Sequence, residues 1–127
     1  MLTVRKKIGA VGYCFGGKYV VRHLRPEAGK IDAGYTAHPS FVTPEELKDM
    51  NGPLAISAAE TDQIFPAEKR RETEDILKEL KLPYQLNLYS GVEHGFAVRG
   101  DPKNRQHVYA KESAFIQALQ WFEEHLQ

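Results

Sequence analysis

Four short apolar runs, each followed by a helix signal, constrain this chain more than any other feature. They occupy residues 8–13, 31–37, 54–59 and 84–89. Helix signals fill the gaps. Residues 15–24 can form a helix with Arg22 and His23 in its last turn and Pro26 beyond it. Thr43-Pro44-Glu45-Glu46 reads as a capping box with proline at the first helical position. Residues 66–81 carry the stripe Ile76, Leu77, Leu80 and end before Pro83. Residues 106–126 place Phe115, Leu119, Phe122 and Leu126 at helical spacing, with Trp121 beside them, and these aromatics are expected in the core. Strand-helix alternation with short connections predicts an α/β fold of about four parallel strands with helices on both faces.

Length and charge limit the function classes. The chain has 127 residues, one domain's worth. Its 17 Lys and Arg balance 17 Asp and Glu, so charge gives no reason to expect nucleic acid or an anionic membrane as partner. The single cysteine cannot form an internal disulfide, which fits a reducing, cytoplasmic setting. No apolar run approaches the roughly 18 residues of a membrane span. A basic segment at residues 1–7 precedes an apolar run, but Gly9 and Gly12 interrupt that run and no small-x-small cleavage site follows, so it is not read as a signal peptide.

In a parallel sheet, ligands bind beyond the carboxyl ends of the strands. Cys14 follows the first run, His38 the second, Glu60 and Asp62 the third, and Glu93 and His94 the fourth. Cys14 sits in Gly12-Tyr13-Cys14-Phe15-Gly16-Gly17, where a strand turns sharply into a helix. Such a turn strains its central residue, and its glycines are expected to avoid clashes. It would lift the thiol to a helix N-terminus, where the dipole favours the thiolate. A free cysteine is commonly just a small packed hydrophobe. The glycines and the helix that follows favour a nucleophile here. Asp62 has its own rival role as the cap of the next helix. Glu60 and Glu93 read as solvated carboxylates. His23, His107 and His125 fall on helices as surface or packing residues.

The elbow G-Y-C-F-G-G, then E-T-D-Q-I-F-P, then G-V-E-H-G-F resembles the dienelactone hydrolase-like members of the α/β-hydrolase superfamily, most closely the fungal ones. The resemblance covers nearly the whole chain, in the order nucleophile, acid, histidine. It implies an ester or lactone hydrolase that works through an acyl-enzyme. Cys14 would be the nucleophile, His94 the base, Asp62 the residue orienting His94, and the Phe15 N–H an oxyanion donor. Arg99 would grip a substrate carboxylate, although it stands one residue further from the histidine than in bacterial relatives. His38 would be a pocket-wall or hydrogen-bonded residue. No metal or cofactor is implied.

The resemblance also implies that strands expected before the elbow are missing. With them goes the loop that donates the second oxyanion N–H. Residues 1–127 are therefore expected to be the C-terminal half of such a domain. A second expectation is a catalytically impaired fragment serving as an interaction module. A third, a redox-responsive thiol, is weakened by the lack of a resolving cysteine. The first strand would be left as an unpaired edge through which the chain could self-associate.

Overall fold

The computed structural model describes residues 6–26 and 29–127; residues 1–5 of the basic N-terminal segment lie outside them. Eight elements alternate: β1 (Gly9–Tyr13), α1 (Gly16–His23), β2 (Ala33–Ala37), α2 (Pro44–Lys48), β3 (Leu54–Thr61), α3 (Ala67–Leu80), β4 (Tyr84–Glu93) and α4 (Arg105–His125). The four strands form one sheet in the order β1-β2-β3-β4, and every pair is parallel. Burial follows position. Every residue of β2 and the first six of β3 are buried, as strands covered on both faces must be. β1 and β4 are the edges and are only partly buried.

One face of the sheet carries α1, α2 and α3. Val20, Val21, Leu24, Leu47, Met50, Ile76 and Leu77 pack there on Leu54, Ile56 and Ala58. The capping box of α2 forms as expected, with Thr43 Oγ1 accepting from the Glu46 N–H and Glu46 Oε1 accepting from the Thr43 N–H. The other face carries α4, capped by the Asn104 side chain.

α4 corrects one expectation. Its buried face is Ala110, Ala114, Gln117, Ala118 and Trp121. Phe115 is 62% exposed and Leu119 49% exposed. Phe122 packs against the Tyr35–Trp121 cluster but is only partly buried. A helix lying close on a sheet puts small side chains at the contact, and the large apolar ones are displaced to its flank. Gln117 belongs on the buried face because it closes a polar network. It accepts from Ser57 Oγ (2.6 Å) and Tyr89 OH (3.0 Å) and donates to the Ile56 carbonyl (3.1 Å). Tyr35 OH joins through Ser57 (2.7 Å), and burial pushes its phenol pKa up.

Candidate active site

β1 ends at Tyr13 and α1 begins at Gly16, which leaves two residues for the turn. Cys14 occupies it with φ +54°, a left-handed conformation that non-glycine residues avoid. A Cβ on Gly12 would run into the Gly16 carbonyl, and one on Gly17 into the Thr36 hydroxyl. Gly16 itself has open space around it. The steric demand for glycine therefore falls on Gly12 and Gly17, not on both glycines that flank the turn symmetrically. Cys14 is fastened by its backbone: its N–H donates to the Ala37 carbonyl (3.2 Å), and its carbonyl accepts from Ser40 N–H (2.9 Å) and Gly17 N–H (3.1 Å).

His94 follows β4, which bulges before it. Opposite β3, the register jumps from Ala59↔Tyr89 to Thr61↔Glu93. Gly91 takes φ +73° inside this irregularity, and its N–H donates to Glu60 Oε1 (3.0 Å). Glu60 is thus a structural acceptor that pins the bulge. Glu93 is exposed, as expected. Gly95, also at positive φ, turns the chain directly after His94.

Asp62 does not cap α3, whose N-cap is Pro66 with no side-chain bond, and it uses its two oxygens differently. Oδ1 accepts from the Ile64 and Phe65 N–H groups (2.8 and 2.9 Å). Oδ2 accepts from His94 Nδ1–H at 2.8 Å. The capping is of the turn at residues 62–65, because α3 starts later, after Pro66. The Asp62 side chain is fully buried, so its orientation is fixed. With the proton of His94 on Nδ1, Nε2 is left as an acceptor, and it faces Ser40 Oγ at 3.4 Å.

Cys14 Sγ has its hydrogen bond with a different imidazole. His38 Nδ1 lies 3.3 Å from it. The sulfur and one ring nitrogen each of His38 and His94 all lie within 4.8 Å of one another, and the two rings are 5.0 Å apart. His38 is 0% exposed, so of the two roles expected of it, pocket wall or hydrogen-bonded residue, the structure shows the hydrogen-bonded one. Its Nε2 accepts from the Ala97 N–H (3.3 Å). Burial, aided by the nearby His94, pushes the pKa of this ring down to about 4. Sequence reasoning missed Ser40. Its only signal was a polar residue in the His38-Pro39-Ser40 segment at a strand's carboxyl end.

Three sulfur and imidazole donors this close can suggest a metal, but the chemistry of the set disfavours one. The neutral His38 ring keeps its proton on Nδ1 while Nε2 accepts from Ala97, so it offers no lone pair towards the sulfur.

The rim above Cys14 is aromatic and exposed. The Phe15 ring meets those of Tyr19 (5.5 Å) and Phe41 (6.3 Å). Arg99 is exposed too, its guanidinium lies over Gly95, and among the described residues it forms no salt bridge. A cleft of about 320 Å³ touches Asp62 and His94 together with Thr61, Gln63, Ile64 and Glu93. A second groove, about 610 Å³, includes none of Cys14, Asp62 and His94; it runs between Tyr13, Ala97, residues 100–102 and the outer residues of α4.

A profile of the dienelactone hydrolase family matches residues 2–126. Hydrolase tropI of Talaromyces stipitatus is 64% identical over 121 residues, covering 95% of this chain and 47% of that protein. Dienlactone hydrolase 1 of Gibberella moniliformis is 33% identical over 117 residues, covering 92% of this chain and 44% of that one. The crystal structure of a putative dienelactone hydrolase from Klebsiella pneumoniae superposes with a TM-score of 0.75 at 16% identity, covering 92% of this chain and 52% of that one. The chain spans about half the length of the curated relatives it matches.

Proposed function

The chain belongs to the dienelactone hydrolase family, and on that footing we propose that it carries the nucleophile, base and acid of an ester or lactone hydrolase in Cys14, His94 and Asp62. The observation that carries this reading is the pairing of a strained, elbow-borne Cys14 with an Asp62-oriented His94 beside it. His94 Nε2 takes the proton of Cys14, and the sulfur attacks the carbonyl carbon. The oxyanion forms at the start of α1, where the Phe15 N–H is the first donor available. The C–O bond then breaks, the leaving oxygen takes the proton from His94, and a thioester remains on Cys14. A water molecule, deprotonated by His94, attacks that thioester, releases the acid and restores the thiol. Asp62 keeps the imidazole in the required tautomer and stabilises it while charged.

Substrate choice follows from the rim. The exposed rings of Phe15, Tyr19 and Phe41 suit an apolar or aryl portion, and the exposed Arg99 suits a carboxylate. Arg99→Ala is expected to weaken turnover of a carboxylate-bearing lactone more than that of a neutral ester; equal loss on both would make the residue structural. The central test uses an activated aryl ester. Mass spectrometry should find the acyl group on Cys14. His94→Ala should slow turnover by about a hundred-fold or more, and His38→Ala should slow it less. Acylation elsewhere, or the reverse ranking of the two histidines, would overturn the assignment.

A further inference from the structure

We infer that His38 is a dedicated hydrogen-bond donor to the Cys14 sulfur, a positioning residue that holds the thiolate and never acts as its base. The inference rests on Cys14 being the nucleophile. It follows from where the single ring proton must sit. The Ala97 N–H points at His38 Nε2, 3.3 Å away, so Nε2 has to be the acceptor nitrogen. In a neutral imidazole the proton is then on Nδ1, and Nδ1 faces Cys14 Sγ at 3.3 Å. A thiol S–H cannot donate to a nitrogen that already carries a proton. A thiolate accepts from it readily, and a hydrogen bond to the charged form favours that form.

The surroundings keep the ring in this state. His38 is 0% exposed. Its backbone N–H is tied to the Ser57 carbonyl (2.8 Å), and its ring lies against Phe96 (5.4 Å) and Tyr13 (6.2 Å). Of the charged groups around it, His94 and Arg99 push it towards neutrality and Asp62 pulls the other way, with burial the largest effect.

The two imidazoles therefore flank one sulfur in the same Nδ1–H tautomer but turn opposite nitrogens towards it. Asp62 places the proton of His94 on Nδ1 and leaves Nε2 to receive the thiol proton. Ala97 places the lone pair of His38 on Nε2 and leaves Nδ1–H to support the sulfur once the proton has gone. One ring takes the proton, the other stabilises what remains, and no net charge is added to the buried side of the site.

Two measurements on the full protein test this without ester turnover, so a failure of the hydrolase reading would not disturb them. In nitrogen-15 NMR of the histidine rings, His38 should be the neutral Nδ1–H tautomer at neutral pH; an Nε2–H tautomer overturns the inference. In iodoacetamide alkylation of Cys14, His38→Leu should slow the reaction about ten-fold at neutral pH and move the acid limb of its pH profile upward by about one unit. His38→Asn, whose amide N–H can reach the sulfur, should recover most of the rate. A His38→Leu profile equal to the parent's, or a His38→Asn variant as slow as His38→Leu, overturns it. Where the leucine variant fails to fold, the asparagine variant and the NMR tautomer decide.

Discussion

Cys14, His38 and Phe41 all hold positive φ (+54°, +38° and +62°), and all three border the site. Each such residue costs on the order of 1–3 kcal/mol, so the surroundings must over-determine it. They do so through the loop after β2: Ser40 N–H holds the Cys14 carbonyl, and Lys18 Nζ holds the Phe41 carbonyl (2.8 Å). The glycines around the elbow divide by the same physics. Gly12→Ala and Gly17→Ala each press a methyl group into occupied space, against the Gly16 carbonyl and the Thr36 hydroxyl, and should cost about 1–3 kcal/mol. Gly16→Ala meets nothing within 4 Å and opens a helix, so it should be neutral or stabilising by about 0.5–1 kcal/mol. Urea denaturation midpoints of the three variants check this; a Gly16→Ala variant as damaged as Gly12→Ala would contradict it. That Cys14, Asp62 and His94 come together was legible in the sequence, because each sits in a local motif at a strand end. The contact of His38 with Cys14 was not, because it depends on how the β2 loop folds back across the elbow.

Elements were legible wherever a local signal set them: the Thr43–Glu46 box, Pro44, and the apolar runs of β2 and β3. α4 was misread because Phe115, Leu119, Phe122 and Leu126 make a good stripe in isolation. Which stripe faces the sheet is decided by closeness of approach and by Gln117, and neither is a local property. Glu46 shows another non-local device, since it joins α2 to α1. Oε1 receives Lys18 Nζ at 2.6 Å and Oε2 receives Arg22 Nε. Burial alone would raise its pKa, but the bonds from Lys18, the Thr43 backbone and Arg22 bring it from 4.5 down to about 2. A depressed carboxylate stabilises the fold above its unfolded value and loses that contribution as pH falls through the folded one. Stability should therefore drop by roughly 2–3 kcal/mol as pH falls from 4.5 to about 2. His38 adds a higher window. The unfolded chain takes a proton near 6.5 that the folded ring resists until about 4, so stability also falls as pH drops through that range. Denaturation against pH should show both windows, with Glu46→Gln abolishing the lower and leaving the upper. Survival of the lower window in Glu46→Gln would remove Glu46 as its source.

At the scale of the whole molecule, the side of the sheet that carries α4 is incompletely covered. β1 is an edge strand, paired only with β2 among the described residues. Val11 lies in register with Tyr35, yet Tyr35 is buried and Val11 is 48% exposed. Along α4, Phe115, Ile116 and Leu119 are exposed as well, and Phe115 and Ile116 line the groove of about 610 Å³, which reaches Tyr13 at the end of β1. An unpaired parallel strand with an apolar face is a template for another chain, and an apolar surface of this kind is unusual on a monomer. The 127-residue chain is therefore expected to self-associate, with β1 and the outer face of α4 in the contact. Light scattering across a concentration series should give a mass above that of one chain, falling on dilution. Val11→Lys puts a charge where β1 must meet its partner, and Leu119→Glu puts one on the α4 flank. Both positions are exposed, so neither substitution disturbs the core, and each should shift the equilibrium towards monomer without lowering the urea midpoint of the monomer. A chain that stays monomeric at every concentration would refute the expectation. Association that both variants leave unchanged would place the contact elsewhere on the molecule.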